Sequence, residues 1–136
     1  MDSYHVGQEV SVEKTFQKEE VLAFSEITGD KNPLHIDEAF AEKSRFGGLI
    51  VHGIFVAGIF SEIIGMRLPG KGSIYLEQNL RFLKPVYVGE PVVVRVRIAG
   101  IDERKRVLTL DTEAYGEEGK KLVCGTAKVL CGKPAF

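Results

Sequence analysis

Apolar residues recur at helical spacing through the first half of the chain and at strand spacing through the second. In KEEVLAFSEITG, residues 18–29, Val21, Leu22, Phe24 and Ile27 follow the helical period. In PLHIDEAFAEKS, residues 33–44, Leu34, Phe40 and Ala41 do so again, which predicts two short helices around a turn. The third segment, GIFVAGIFSEIIG at 53–65, is apolar on nearly every side, with only Ser61 and Glu62 clearly polar. Such a helix is expected to be buried all round.

Beyond RLPGKG the pattern changes. SIYLEQNLRFLKPV, EPVVVRVRIAGI, RVLTLDTEAYG and KLVCGTAKVLC are rich in β-branched and aromatic residues and are broken by Gly, Pro and charged turns. Val92, Val94, Val96 and Ile98 alternate with Val93, Arg95, Arg97 and Ala99, the period of a strand with one face inside. A further short strand is expected near QEVSVEK. Helices first and a long antiparallel sheet afterwards give an α+β chain. Wrapping the sheet around the apolar helix covers both at once, which is the hot-dog arrangement.

Composition adds limits. With 136 residues, 44% hydrophobic and 27% charged, the chain fits one globular domain spanning 1–136. Neither a repeat nor a linker divides it. A net charge of -1 offers no general attraction to nucleic acid or to an anionic membrane, so neither is an expected partner. MDSYHVGQEVSVEK lacks the basic start and apolar run of a signal peptide, and a cytoplasmic location is expected. Two cysteines, Cys124 and Cys131, are too few for a disulfide framework or a four-ligand zinc site.

Chemistry concentrates in TGDKNPLH, residues 28–35. Pro33 disfavours helical geometry at Asn32 and suits the first helical position, so Asn32 is expected to cap a helix starting at Pro33. His35 then falls in its first turn, and Gly29 lets the chain fold back to bring Asp30 toward His35. This could be an ordinary polar turn. An EF-hand is excluded, because it would need glycine at His35 and glutamate at Ala41. A metal site from Asp30, His35 and His52 has no ligand-spacing signature, and no metal is expected. The functional alternative is an acid/base pair, a carboxylate and an imidazole sharing one water.

FSEITGDKNPLHIDEAFA, residues 24–41, resembles the hydratase-2 motif of the (R)-specific enoyl-CoA hydratases, within the wider MaoC-like dehydratases. Phe24, Ile27, Thr28, Gly29, Asp30, Asn32, Pro33, Leu34, His35 and Ala41 occupy its constrained positions. The likeness continues through FGGLIVHGIFVAGIFSEIIGMRLPGKGSIYLEQNLRFLKPVYVGE and covers almost the whole chain. It implies a hot-dog fold and a homodimer with active sites between subunits, with room for a dimer of dimers. The implied reaction is reversible, cofactor-free addition of water to a trans-2-enoyl-CoA, giving (R)-3-hydroxyacyl-CoA.

That reaction needs a base for the water, a proton for the α-carbon and a partner for the charge on the thioester oxygen. Asp30 and His35 are the catalytic candidates, and Asn32 would orient the pair or the ligand. Gly53, if the apolar helix starts there, would present unpaired N–H groups to the thioester oxygen, with His52 supporting the helix entry. By resemblance Ser61 and Ile64 line the acyl pocket with Phe55 or Phe60 closing it, which favours chains of about four to six carbons. Arg67, Lys71, Arg81 and Lys84 are available for the phosphates of CoA. A thioesterase, an acyl-carrier-protein dehydratase or a non-catalytic acyl-CoA sensor would use the same fold.

Overall fold

The computed structural model describes residues 3–132. Strand β1 (Glu9–Thr15) leads into helices α1 (Lys18–Thr28), α2 (Pro33–Ile36), α3 (Glu38–Lys43) and α4 (Gly53–Met66). The remaining strands follow as β2 (Ile74–Gln78), β3 (Arg81–Phe82), β4 (Pro91–Asp102), β5 (Val107–Tyr115) and β6 (Lys121–Leu130). They form one antiparallel sheet in the order β1-β4-β5-β6-β2, with β3 also pairing to β6. The sheet curves around α4 in the expected hot-dog arrangement, and the class is α+β.

Alternation places the core. On β4 Val92, Val94, Val96 and Ile98 are fully buried, while Val93 faces out. Leu108, Leu110 and Ala114 of β5 and Leu122, Ala127 and Val129 of β6 join them. From α4, Val56, Phe60, Ile63 and Ile64 fill the concave side. Burying each such side chain contributes about 1.5–3 kcal/mol. Gly125 of β6 is required by the bend between β2 and β3: a Cβ there would lie 1.9 Å from the carbonyl oxygen of Asn79.

Two expectations are corrected. The helix over 33–44 is two helices, because Asp37 leaves helical geometry and its carboxylate accepts from Phe40 N–H to cap α3. Nor is α4 covered all round. Ile54, Gly58, Ser61 and Met66 face out, with Ile54 60% and Met66 68% exposed, because the sheet of a single chain wraps only one side. Among the described residues no helix is long and apolar enough to cross a membrane.

The outer face of the sheet carries a charge network in which Glu113 accepts from Arg95, its register partner on β4, and from Lys121 at 2.7 Å. Burial would raise the Glu113 carboxyl, but hydrogen bonds from Lys121, Arg95 and Tyr115 win and lower it from 4.5 to about 2. The group is depressed on folding, so its stabilisation is present above pH 4.5 and is lost as pH falls towards 2. Glu113→Gln is expected to lower unfolding free energy at neutral pH by about 2 kcal/mol, allowing for the exposure of Lys121. Denaturant titrations should show that difference shrinking through the acid window.

Candidate active site

The turn after α1 is built by its own side chains. Gly29, at φ 83°, ends the helix and donates its N–H to Ser25 O at 2.9 Å. Thr28 Oγ1 accepts from Asp30 N–H, and Asp30 Oδ1 accepts from Asn32 N–H at 3.3 Å. The Asn32 side chain caps α2 by accepting from Leu34 N–H at 3.1 Å, with Pro33 as the first helical residue. Asn32 therefore orients Asp30 through its backbone N–H, while its side chain is committed to the helix start.

His35 is fixed from a second segment. Its Nδ1 lies 2.7 Å from Ile50 O, and Ile50 N–H returns a bond to Leu34 O. A carbonyl oxygen can only accept, so Nδ1 carries a hydrogen, and the tautomer this selects has its lone pair on Nε2. Behind it, His52 stacks on His35 with centroids 3.8 Å apart and planes 24° apart. One ligand atom from each of Asp30, His35 and His52 falls within 4.8 Å of the others. The stacking argues against a shared ion, since lone pairs in two nearly parallel planes cannot both point at one centre at bonding distance. A carboxylate and a lone pair around one water is the chemistry this geometry suits.

His52 is 3% exposed, and burial pushes its pKa below the ordinary value. The Asp30 carbonyl pulls upward, and the neighbouring His35 adds to the depression. Burial thus favours the neutral form of His52.

Gly53 begins α4, as the sequence suggested. Neither Gly53 nor Ile54 N–H finds a hydrogen-bond partner among the described residues, so both remain free donors at the positive end of the helix. The space over Gly53 is narrow: a Cβ there would lie 2.6 Å from the ring of Phe82. His35, Gly53, Ile54, Phe82, Val86 and Val123 line a cavity of about 360 Å³, with Arg45 and Lys84 also on its wall.

Several expected residues lie elsewhere. Ser61 sits on the exposed stripe of α4, Ile64 is 2% exposed within the core, and Phe55 packs between the rings of Phe16 and Phe24. None of these three lines the cavity beside His35, and that cavity opens at the N-terminal end of α4, about two turns from Ser61 and about three from Ile64. Phe60 is in the core as well. Of the cations, Lys84 reaches the cavity, whereas Lys71, Arg81 and Arg67 are exposed outside it. Arg45, Phe82 and Val123 were not singled out from the sequence, and Ser25 was not either. Ser25 had a signal, a polar residue one turn from Val21 on the inner face of α1.

The sequence and the architecture match a known group. Residues 4–118 fit the family model for a MaoC like domain. The chain belongs to the MaoC-like family. An (R)-specific enoyl-CoA hydratase from Aeromonas caviae is 44% identical over 127 residues, covering 93% of this chain and 95% of that protein. A 3-hydroxybutyryl-CoA dehydratase from Methylorubrum extorquens is 41% identical, covering 86% of this chain and 75% of its own. The solved (R)-hydratase of A. caviae, involved in PHA biosynthesis, superposes with a TM-score of 0.93 at 43% identity, covering 96% and 98% of the two chains. Within this MaoC-like chain, the conjunction of Asp30, His35 and the open start of α4 marks the candidate centre.

Proposed function

We propose that this protein is an (R)-specific enoyl-CoA hydratase, adding water reversibly to trans-2-enoyl-CoA to give (R)-3-hydroxyacyl-CoA, with short chains of the crotonyl-CoA type. The observation that carries the reading is the hydrogen bond from His35 Nδ1 to Ile50 O, which leaves Nε2 able to accept a proton, in a cluster where a His35 ring nitrogen and an Asp30 carboxylate oxygen lie within 4.8 Å of each other. Kinship with the A. caviae and M. extorquens enzymes supports it.

In this reading the water lies between Asp30 and His35. One of the two takes a proton as the water oxygen bonds to the β-carbon, and the proton so gained is returned to the α-carbon, so atoms balance without an external acid. Negative charge gathering on the thioester oxygen meets the free N–H groups of Gly53 and Ile54 and the helix dipole. The acyl chain lies against Ile54, Phe82, Val86 and Val123, and Arg45 and Lys84 offer cations to the CoA phosphates.

Two copies pair along β2 in this proposal. β2 is a sheet edge with Ile74, Tyr75 and Leu76 exposed, and α4 has an apolar stripe that a single chain leaves uncovered. An open apolar edge of this kind is a liability unless a partner covers it.

Crotonyl-CoA is expected to lose its enoyl absorbance when the protein is added, and the product should be oxidised by an (R)-specific but not an (S)-specific 3-hydroxyacyl-CoA dehydrogenase. Release of free CoA thiol without loss of the double bond would replace hydration with thioester hydrolysis. A chain-length series on the same assay locates the preferred substrate.

A further inference from the structure

Behind the catalytic pair lies a second polar pair that the reaction does not use directly. Ser25, on the inner face of α1, is 2% exposed, and its hydroxyl meets His52 Nε2 at 3.0 Å. The same nitrogen lies 3.2 Å from the carbonyl oxygen of Asp30. Because that oxygen accepts only, Nε2 carries the hydrogen and shares it between Asp30 O and Ser25 Oγ. His52 Nδ1 is then a bare acceptor, and it is buried without a partner. The opposite tautomer would bury an unpaired N–H and set two lone pairs against each other at Nε2, which costs more than a bare acceptor.

The ring so anchored lies inside a column of aromatic groups. Phe55 stacks on Phe24 at 4.7 Å, Phe24 tilts against His52 at 4.6 Å, and His52 stacks on His35 at 3.8 Å. His35 is thereby held by a ring on one face and by Ile50 O at its edge. Ser25 also accepts the Gly29 N–H through its own carbonyl, so one residue ties down both the turn that carries Asp30 and the ring that backs His35. Neither Ser25 nor His52 lines the cavity.

We propose that Ser25 and His52 are a buried positioning pair: Ser25 and the Asp30 carbonyl hold His52 Nε2–H, and the His52 ring sets the angle of the His35 imidazole against the Asp30 carboxylate. The proposal rests on the hydratase reading for its kinetic consequence. Positioning acts on the transition state more than on substrate affinity. Ser25→Ala should therefore lower kcat about tenfold while KM stays within about twofold. His52→Phe, which keeps a ring for stacking but has no N–H, should lower kcat about a hundredfold.

Nitrogen-15 NMR supplies a readout that simple destabilisation would not move. The wild type should show His52 as a single Nε2–H tautomer and the ring hydrogens of His35 shifted by the stacked neighbour, and Ser25→Ala should lose part of that ring-current shift while still unfolding cooperatively. A wild-type His52 found as the Nδ1–H tautomer would overturn the proposal. So would a Ser25→Ala variant with unchanged kcat and unchanged His35 resonances. If the wild type leaves crotonyl-CoA untouched, the hydratase reading is what fails, and the tautomer and ring shifts still decide the pair.

Discussion

Asp30→Asn and His35→Ala should each cut the turnover of crotonyl-CoA about a thousandfold or more. The asparagine is chosen because its Oδ1 can still accept the Asn32 N–H that shapes the turn, so the loss reports proton transfer and not a collapsed loop. His35→Ala removes the lone pair and also the bond to Ile50 O, and some loss of melting temperature is expected with it. If the two groups handle one water as a unit, the double variant is hardly slower than either single one. Steady-state rates at saturating substrate, with unfolding followed in parallel, provide the measurement. Wild-type turnover by either folded single variant would end the assignment of the site.

Gly53→Ala should lower kcat about a hundredfold, and the reason can be separated into two parts by a second substitution. The new Cβ would meet the ring of Phe82 at 2.6 Å, closer than any tolerated contact, so that ring must move. Phe82 is half-exposed on the two-residue strand β3, which leaves it room to do so. Phe82→Ala relieves the clash. In the Gly53→Ala/Phe82→Ala double variant stability should return, yet turnover should stay low, because the added methyl still occupies the approach to the Gly53 and Ile54 N–H groups. Full recovery of rate in the double variant would mean that Gly53 serves only the packing of Phe82. The cycle of two single variants and the double, read on kcat/KM and on melting temperature, decides between the two.

The parts of this molecule that were legible in the sequence are those governed by local rules. Alternation on β4 placed Val92, Val94, Val96 and Ile98 inside because successive side chains of a strand point to opposite faces. Asn32 and Pro33 announced the start of α2 through capping and a fixed φ, and both take those positions. Asp37 was less visible. Its capping side chain competes with helix continuation, and pattern alone favoured one helix over the two that form. The apolar character of α4 was plain, but which side stays open depends on how far the sheet reaches around it.

For the site the division is similar. The spacing of Asp30 and His35 across a glycine turn was readable, since one turn brings them together. The pairing of His35 with Ile50 O, its stacking on His52, and the closeness of Phe82 to Gly53 were not, because they join segments 15 to 29 residues apart in sequence. Sequence alone determined the elements, the turn and the identity of the acid/base candidates, all products of short-range sterics and hydrogen bonding. Tertiary structure alone decided the tautomer of His35, the buried ring behind it and the walls of the cavity. Those depend on which distant carbonyl or ring comes to rest against each group, and packing of the whole core sets that.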